Sequence, residues 1–221
     1  MTMLTTIHIK ALLKRYSLSE EETKRFLRLI RDKQWDEDVK RILIVLLFTG
    51  MRIGECLCLA WEDIDFEKKT IFIHHTLSCV DGECYLDSPK TKSSVRLIAM
   101  NSTVEKCLRE QQAYVEKLKM ALGNKYAHPE MVFPSGLGNY RDRSSVYHSL
   151  KRMTKGTEFE DMTLHKLSHC NATLLLNSGV DLKVISEHLG HCDIGVTANI
   201  YADVLKSTKA KVADLVTLKL S

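Results

Sequence analysis

Apolar residues recur at helical spacing over most of the chain, with one early interruption where the period drops to two. Ser19 and Glu22 form a capping-box pattern, and Phe26, Leu27 and Ile30 follow at i, i+1 and i+4, which predicts a first helix. A second helix is predicted over 36–48, stopped by Gly50, and a short third over 53–60. The pattern then alternates. Residues 70–74 read as a strand, Asp81-Gly82 as a turn, 83–86 as a second strand and 95–99 as a third. Helical spacing returns over 103–121, 144–154, 165–177, 182–188 and 203–217. The expectation is a mainly α fold with one small antiparallel β-sheet near 64–100, an α+β arrangement.

Composition narrows the class without choosing a function. The 221 residues suffice for a substantial core, and 44% hydrophobic with 27% charged residues is ordinary for a globular protein. A net charge of +4 permits a polyanionic partner but does not demand one. No apolar signal region follows Met1, and the longest apolar run, 42–48, is too short to span a bilayer. Seven cysteines in such a chain read as reduced thiols of a cytoplasmic protein. The Cys56/Cys58 pair and the adjacent His74 and His75 have no matching partner pair at zinc-site spacing, so no metal site is expected.

Four stretches carry candidate chemistry. In Thr49-Gly50-Met51-Arg52-Ile53-Gly54-Glu55, Arg52 lies at a helix junction beside apolar chain. It fits either an ion pair with Glu55 or a bidentate phosphate contact. Ser88-Pro89-Lys90-Thr91-Lys92-Ser93-Ser94-Val95-Arg96 is either a solvated turn or a basic hairpin that reaches DNA. In His165-Lys166-Leu167-Ser168-His169 the two histidines are four apart, but Lys166 stands where a zinc protease needs glutamate. Alone, this pair reads as structural. Leu189-Gly190-His191, followed by Thr197 and Tyr201, places a histidine just past a helix end, and Tyr201 alone would read as a core aromatic.

Each stretch is weak evidence alone, whereas their order and spacing are specific. The series Arg52, Lys90, His165, His191, Tyr201 resembles the tyrosine recombinase (lambda-integrase) family. Thr49 to Glu55 resembles its first arginine box, Pro89-Lys90-Thr91-Lys92 its lysine hairpin, and His165 to Thr173 its His-x-x-Arg-His box. The tract from Asn177 to His191 is similar to integrases of conjugative transposons and phages of Gram-positive bacteria. The resemblance runs over about 17–205. It departs at Ser168, which occupies the place of the family's second arginine.

The resemblance implies a tyrosine recombinase catalytic-domain fold over 17–205, with 1–16 a linker remnant and 206–221 a C-terminal tail helix. The family's further N-terminal DNA-binding domains would precede it, so the chain reads as a fragment or a truncated product. Tyr201 would attack the scissile phosphate, forming a 3′-phosphotyrosine without a nucleotide cofactor. Arg52 and His191 would donate to the phosphate, Lys90 would protonate the leaving oxygen, and His165 would assist proton transfer at the tyrosine side or hydrogen-bond the phosphate. Lys92, Arg96 and Lys166 would contact DNA. Partners would be double-stranded DNA and three further copies, joined by exchange of a C-terminal helix; no membrane or small-molecule substrate is implied, and the location would be the bacterial cytoplasm at the nucleoid. With Ser168 able to donate one neutral hydrogen bond where arginine donates two charged ones, slow or absent cleavage is expected. The alternative is an inactive DNA-binding relic or regulator of the same fold.

Overall fold

The computed structural model describes residues 18–32, 34–80, 83–88 and 94–190. In chain order the described elements are α1 (Glu20–Ile30), α2 (Glu37–Thr49), α3 (Ile53–Leu57), β1 (Ile64–Asp65), β2 (Thr70–Ile73), β3 (Thr76–Val80), β4 (Glu83–Asp87), β5 (Arg96–Ala99), α4 (Ser102–Leu122), α5 (Arg143–Thr154), α6 (Leu164–Asn177) and α7 (Leu182–Leu189). Helices dominate, with small antiparallel sheets inserted early. The expected helix over 203–217 lies outside the described residues. No helix among the described residues is long and apolar enough to cross a membrane.

Helix starts follow side-chain chemistry. The Ser19 hydroxyl accepts from the Glu22 N–H at 3.2 Å, and the Glu22 carboxylate accepts from the Ser19 N–H at 2.9 Å, which completes the capping box of α1. Asn101, Asp142, Thr163 and Asp181 cap α4, α5, α6 and α7 in the same sense. The core is centred on α2, whose Ile42, Leu43, Val45, Leu46 and Leu47 are fully or almost fully buried. Phe26 of α1 meets Phe159 edge-on at 5.2 Å on one side of it.

The β region differs from the single three-stranded sheet expected. There are two sheets, one in the order β1-β2-β5 and a separate β3-β4 hairpin. Strand β2 pairs with β5, Ile71 opposite Ile98 and Ile73 opposite Arg96, because this register buries Ile71, Ile73 and Ile98 together. Strand β3 was missed because, of Thr76-Leu77-Ser78-Cys79-Val80, only Leu77 is buried, so its alternation is faint. The α3 helix is also shorter than 53–60, since Ala60 is drawn into a β-bridge with Met131.

The expectation of reduced thiols needs one correction. Cys79 and Cys84 are direct cross-strand partners in the β3-β4 hairpin and are joined by a disulfide. Opposed positions hold two Cβ atoms within reach of one S–S bond, a geometric fact that residue spacing does not reveal. Cys56, Cys58, Cys107 and Cys170 are free and buried.

The C-terminal end of α2 is the junction of the fold. Gly50 ends it with φ of 68°, in the left-handed region. A β-carbon there would lie 2.8 Å from Asn171 Oδ1 on α6 and 2.8 Å from Leu189 Cδ2 on α7. Glycine is therefore required both for the turn and for the approach of two helices. Gly50→Ala is expected to destabilise the chain by about 2 kcal/mol through strain and overpacking. Urea unfolding would show this as a lower midpoint, and an unchanged midpoint would mean that α6 and α7 do not press on this residue.

Candidate active site

Arg52 is the N-cap residue of α3. Its backbone N–H donates to Glu55 Oε2 at 2.8 Å, and its Nη1 donates to Glu55 Oε1 at 2.9 Å. The ion pair anticipated for Arg52 is thus present, yet it does not use up the guanidinium. The Arg52 side chain keeps 42% of its surface exposed while Glu55 keeps 4%. A buried carboxylate orients the arginine from behind and leaves its far edge open.

Glu55 is shared with a second arginine. Arg96 Nη1 and Nη2 donate to Glu55 Oε1 and Oε2 at 3.1 and 2.9 Å, while Arg96 Nε donates to the His188 carbonyl at 2.7 Å and Nη1 also to the Ser94 carbonyl at 3.1 Å. Burial pushes the Glu55 carboxyl upward, but the hydrogen bonds and charge of Arg96, joined by the Arg52 N–H and charge, hold it below its ordinary value. Arg96 therefore departs from the expectation that it contacts DNA. It is a buried residue, and four of its five N–H groups are spent inside the protein. The signal was present in the strand: alternation in Arg96-Leu97-Ile98-Ala99 puts Arg96 on the buried face with Ile98.

Helices α6 and α7 close the site from the other side by capping the end of α2. Asn171 Nδ2 donates to the Leu47 carbonyl at 3.1 Å, and the Ser168 hydroxyl donates to the Gly50 carbonyl. His188 hydrogen-bonds the Thr49 backbone. Carbonyls that a helix end leaves without partners are thus satisfied by side chains of its neighbours. This changes the reading of Ser168. Its one proton points at Gly50, so as placed it offers no donor to a phosphate. Arg52 Nη2 lies 3.4 Å from the Gly190 carbonyl, so the described chain ends beside the candidate phosphate ligand.

His165 stands at the surface of α6, with its ring 4.4 Å from that of buried His169 in an edge-on contact. Partial burial, helped by the nearby positive charge of Arg52, lowers its pKa below the ordinary 6.5. His188 is lowered too, first by burial and then by Arg96. Its Nε2 is buried without a hydrogen-bond partner among the described residues. Neither Arg96 as a hub nor His188 was singled out from sequence. Lys166 is partly exposed, and its ammonium donates to the Asp161 carbonyl at 2.7 Å. Lys90, Lys92, His191 and Tyr201 lie outside the described residues.

With this geometry in place, comparison with known proteins is decisive. The model of the phage integrase family matches residues 16–208. The chain belongs to that family. It is 30% identical over 198 residues to the ICEBs1 integrase of Bacillus subtilis strain 168, covering 88% of this chain and 52% of that protein. It is 31% identical to the transposase of transposon Tn916 from Enterococcus faecalis, over 84% of this chain and 47% of that one. Among solved structures, the Tn1549 transposon integrase in complex with a circular intermediate DNA superposes with a TM-score of 0.71 at 28% identity, covering 90% of this chain and 65% of that one. The chain spans about half the length of these curated relatives. Its helix-rich fold with small antiparallel sheets is the integrase catalytic-domain fold of these neighbours.

Two outcomes follow from the site. Arg96→Met strips a buried carboxylate of its main partner and is expected to cost about 3–5 kcal/mol. Arg96→Lys should recover little, because an ammonium cannot bridge both carboxylate oxygens. Since the folded Glu55 pKa is lowered, the stability it confers is present above its ordinary 4.5 and lost as pH falls through the folded value. Urea midpoints measured against pH for wild type and Glu55→Gln would show the two curves converging at acid pH, and parallel curves would contradict the pairing. The second outcome concerns His165. An NMR titration should give it a midpoint below 6.5, so its ring is neutral at pH 7. Arg52→Gln should restore only part of the shift, because burial is the larger cause.

Proposed function

We propose that this chain is the DNA-cleaving and DNA-rejoining domain of a tyrosine site-specific recombinase of a mobile element. The observation that carries this reading is Arg52, fixed from behind by a buried carboxylate and open in front, beside the chain that leads to His191. In this reading the Tyr201 hydroxyl attacks the scissile phosphorus of duplex DNA, giving a 3′-phosphotyrosine and a free 5′-hydroxyl. Reversal on a second duplex joins new strands, and the retained phosphoester makes an external energy source unnecessary. Arg52 and His191 hold the charge that builds on the non-bridging oxygens, and Lys90 protonates the departing 5′-oxygen. His165, neutral at pH 7, can accept the tyrosine proton. Lys92 and Lys166 contact the DNA backbone, four copies assemble on two duplexes with exchange of the segment after 205, and the reaction takes place in the bacterial cytoplasm.

A second reading is favoured by one specific observation. The Ser168 hydroxyl is engaged by Gly50, so the family's second guanidinium has no substitute at that place. Losing one preorganised donor of this kind costs roughly 10²–10³ in rate. The chain then binds DNA and cleaves it slowly, or serves as a DNA-binding regulator.

Covalent capture separates these readings. Randomised nicked duplexes, which trap the 3′-phosphotyrosine by loss of the short fragment that carries the free 5′-hydroxyl, are incubated with the chain, with Ser168→Arg and with Tyr201→Phe. Adduct formation by Ser168→Arg at least about 100-fold faster than wild type, absent in Tyr201→Phe, is the expected result. Fast adduct formation by wild type would remove the impairment. DNA binding with no adduct from either wild type or Ser168→Arg would leave the regulator reading.

A further inference from the structure

The β3-β4 hairpin brings one pair of sulfurs into register, and its surroundings single that pair out. Cys79 and Cys84 are opposed across the two strands, five residues apart in sequence, and both are only partly buried. The other described cysteines are shielded. Cys56, Cys58, Cys107 and Cys170 are buried in the core. Burial pushes the thiols of Cys58 and Cys107 up to about 12 and that of Cys170 to about 11, with Cys56 also well above its ordinary value. Buried thiols held in the protonated form neither attack disulfides nor meet them. A disulfide reagent in solution therefore finds a reactive partner, among the described residues, only on the hairpin.

The hairpin is also joined to the helix that presents Arg52. Strand β3 lies directly on α3 at Gly54, where a β-carbon would come within 2.5 Å of Thr76 Oγ1 and 3.0 Å of the Leu77 carbonyl. The Leu77 backbone also hydrogen-bonds Cys58, one residue beyond the end of α3. There is no gap in which β3 can shift without disturbing the helix that carries Glu55.

We propose that Cys79 and Cys84 form a reversible redox-modification site that reacts with low-molecular-weight disulfides of the glutathione type and stiffens the hairpin packed on the Arg52 helix. One cysteine thiolate attacks the small disulfide, forming a mixed disulfide and releasing one small thiolate. The second cysteine thiolate attacks the protein sulfur of that mixed disulfide, closing the Cys79–Cys84 bond and releasing the other small thiolate. The two protons lost by the cysteines end on the two small thiols, so two protein thiols are oxidised and one small disulfide is reduced. Closing this short loop removes open conformations of the hairpin rather than adding contacts.

The test uses the whole chain equilibrated in glutathione buffers from fully reduced to fully oxidised. Samples are quenched by alkylation and read by mass spectrometry, with hydrogen exchange followed in parallel over 76–80, 83–87 and 53–58. The expected result is that Cys79 and Cys84 switch together and reversibly, and that amides of the hairpin exchange at least about tenfold more slowly when oxidised. Slower exchange over 53–58 should accompany it. Cys79→Ser/Cys84→Ser should exchange like the reduced protein in every buffer. A pair that stays reduced in oxidised glutathione, or stays oxidised in reduced glutathione, overturns the proposal. So does a pair that switches while exchange in the hairpin and α3 is unchanged. None of these readouts involves DNA, so they stand or fall apart from the proposed recombinase function.

Discussion

The buried carboxylate of Glu55 is the constraint on which the rest of the site depends. Two arginines converge on it, and a carboxylate with so little access to water stays ionised only because it is matched, since an unpartnered charge there would cost several kcal/mol. Arg96 supplies most of that match from inside. Arg52 can then lean on Glu55 with one edge only, while its Nη2 meets the Gly190 carbonyl and the guanidinium stays partly exposed. A guanidinium fixed in this way is already in position before any phosphate arrives, so the ordering cost is met in folding and not in binding. Through Nε, Arg96 also ties strand β5 to the carbonyl of His188, so one residue links the arginine box, the sheet and the last described helix.

A second set of contacts brings the remaining helices to the same place. The final turn of α2 leaves carbonyls without helical partners, and these are met by Asn171 and Ser168 of α6 and by His188 of α7. Gly50 lets α6 and the end of α7 approach the end of α2 closely enough for this. The arrangement explains why residues remote in sequence share one surface. A helix end is a fixed array of acceptors, and polar side chains that fill it are held at defined positions.

Much of this was legible in the chain itself. The capping box at Ser19 and Glu22, the stop at Gly50 and the helical spacing through Leu189 are local signals, and they located the helices to within a few residues. The ordered series from Arg52 to Tyr201 identified the family because it depends on residue identity and spacing. What escaped was non-local. Pairing of β2 with β5 in place of β4 depends on which isoleucines can be buried together, and the sulfur pair of the hairpin depends on register. Arg96 lay in a basic, polar stretch and read as a surface cation. Alternation with Ile98 was the one local sign that it faces inward, and the partner it meets there, Glu55, lies 41 positions earlier. Ser168 was recognised as a departure, but the acceptor that takes its proton belongs to a residue 118 positions earlier.

The contact between Ser168 and Gly50 bears on how such a departure persists. A shortened side chain at a buried site ordinarily leaves a void or an orphaned polar group, and the resulting instability exposes the protein to degradation. Here the hydroxyl caps a helix end, so Ser168 itself is not an orphaned polar group. On the proposed reading of Ser168, a lineage carrying it would lose turnover without losing abundance. Selection on solubility and proteolysis would be blind to the change, and only selection on movement of the element could remove it.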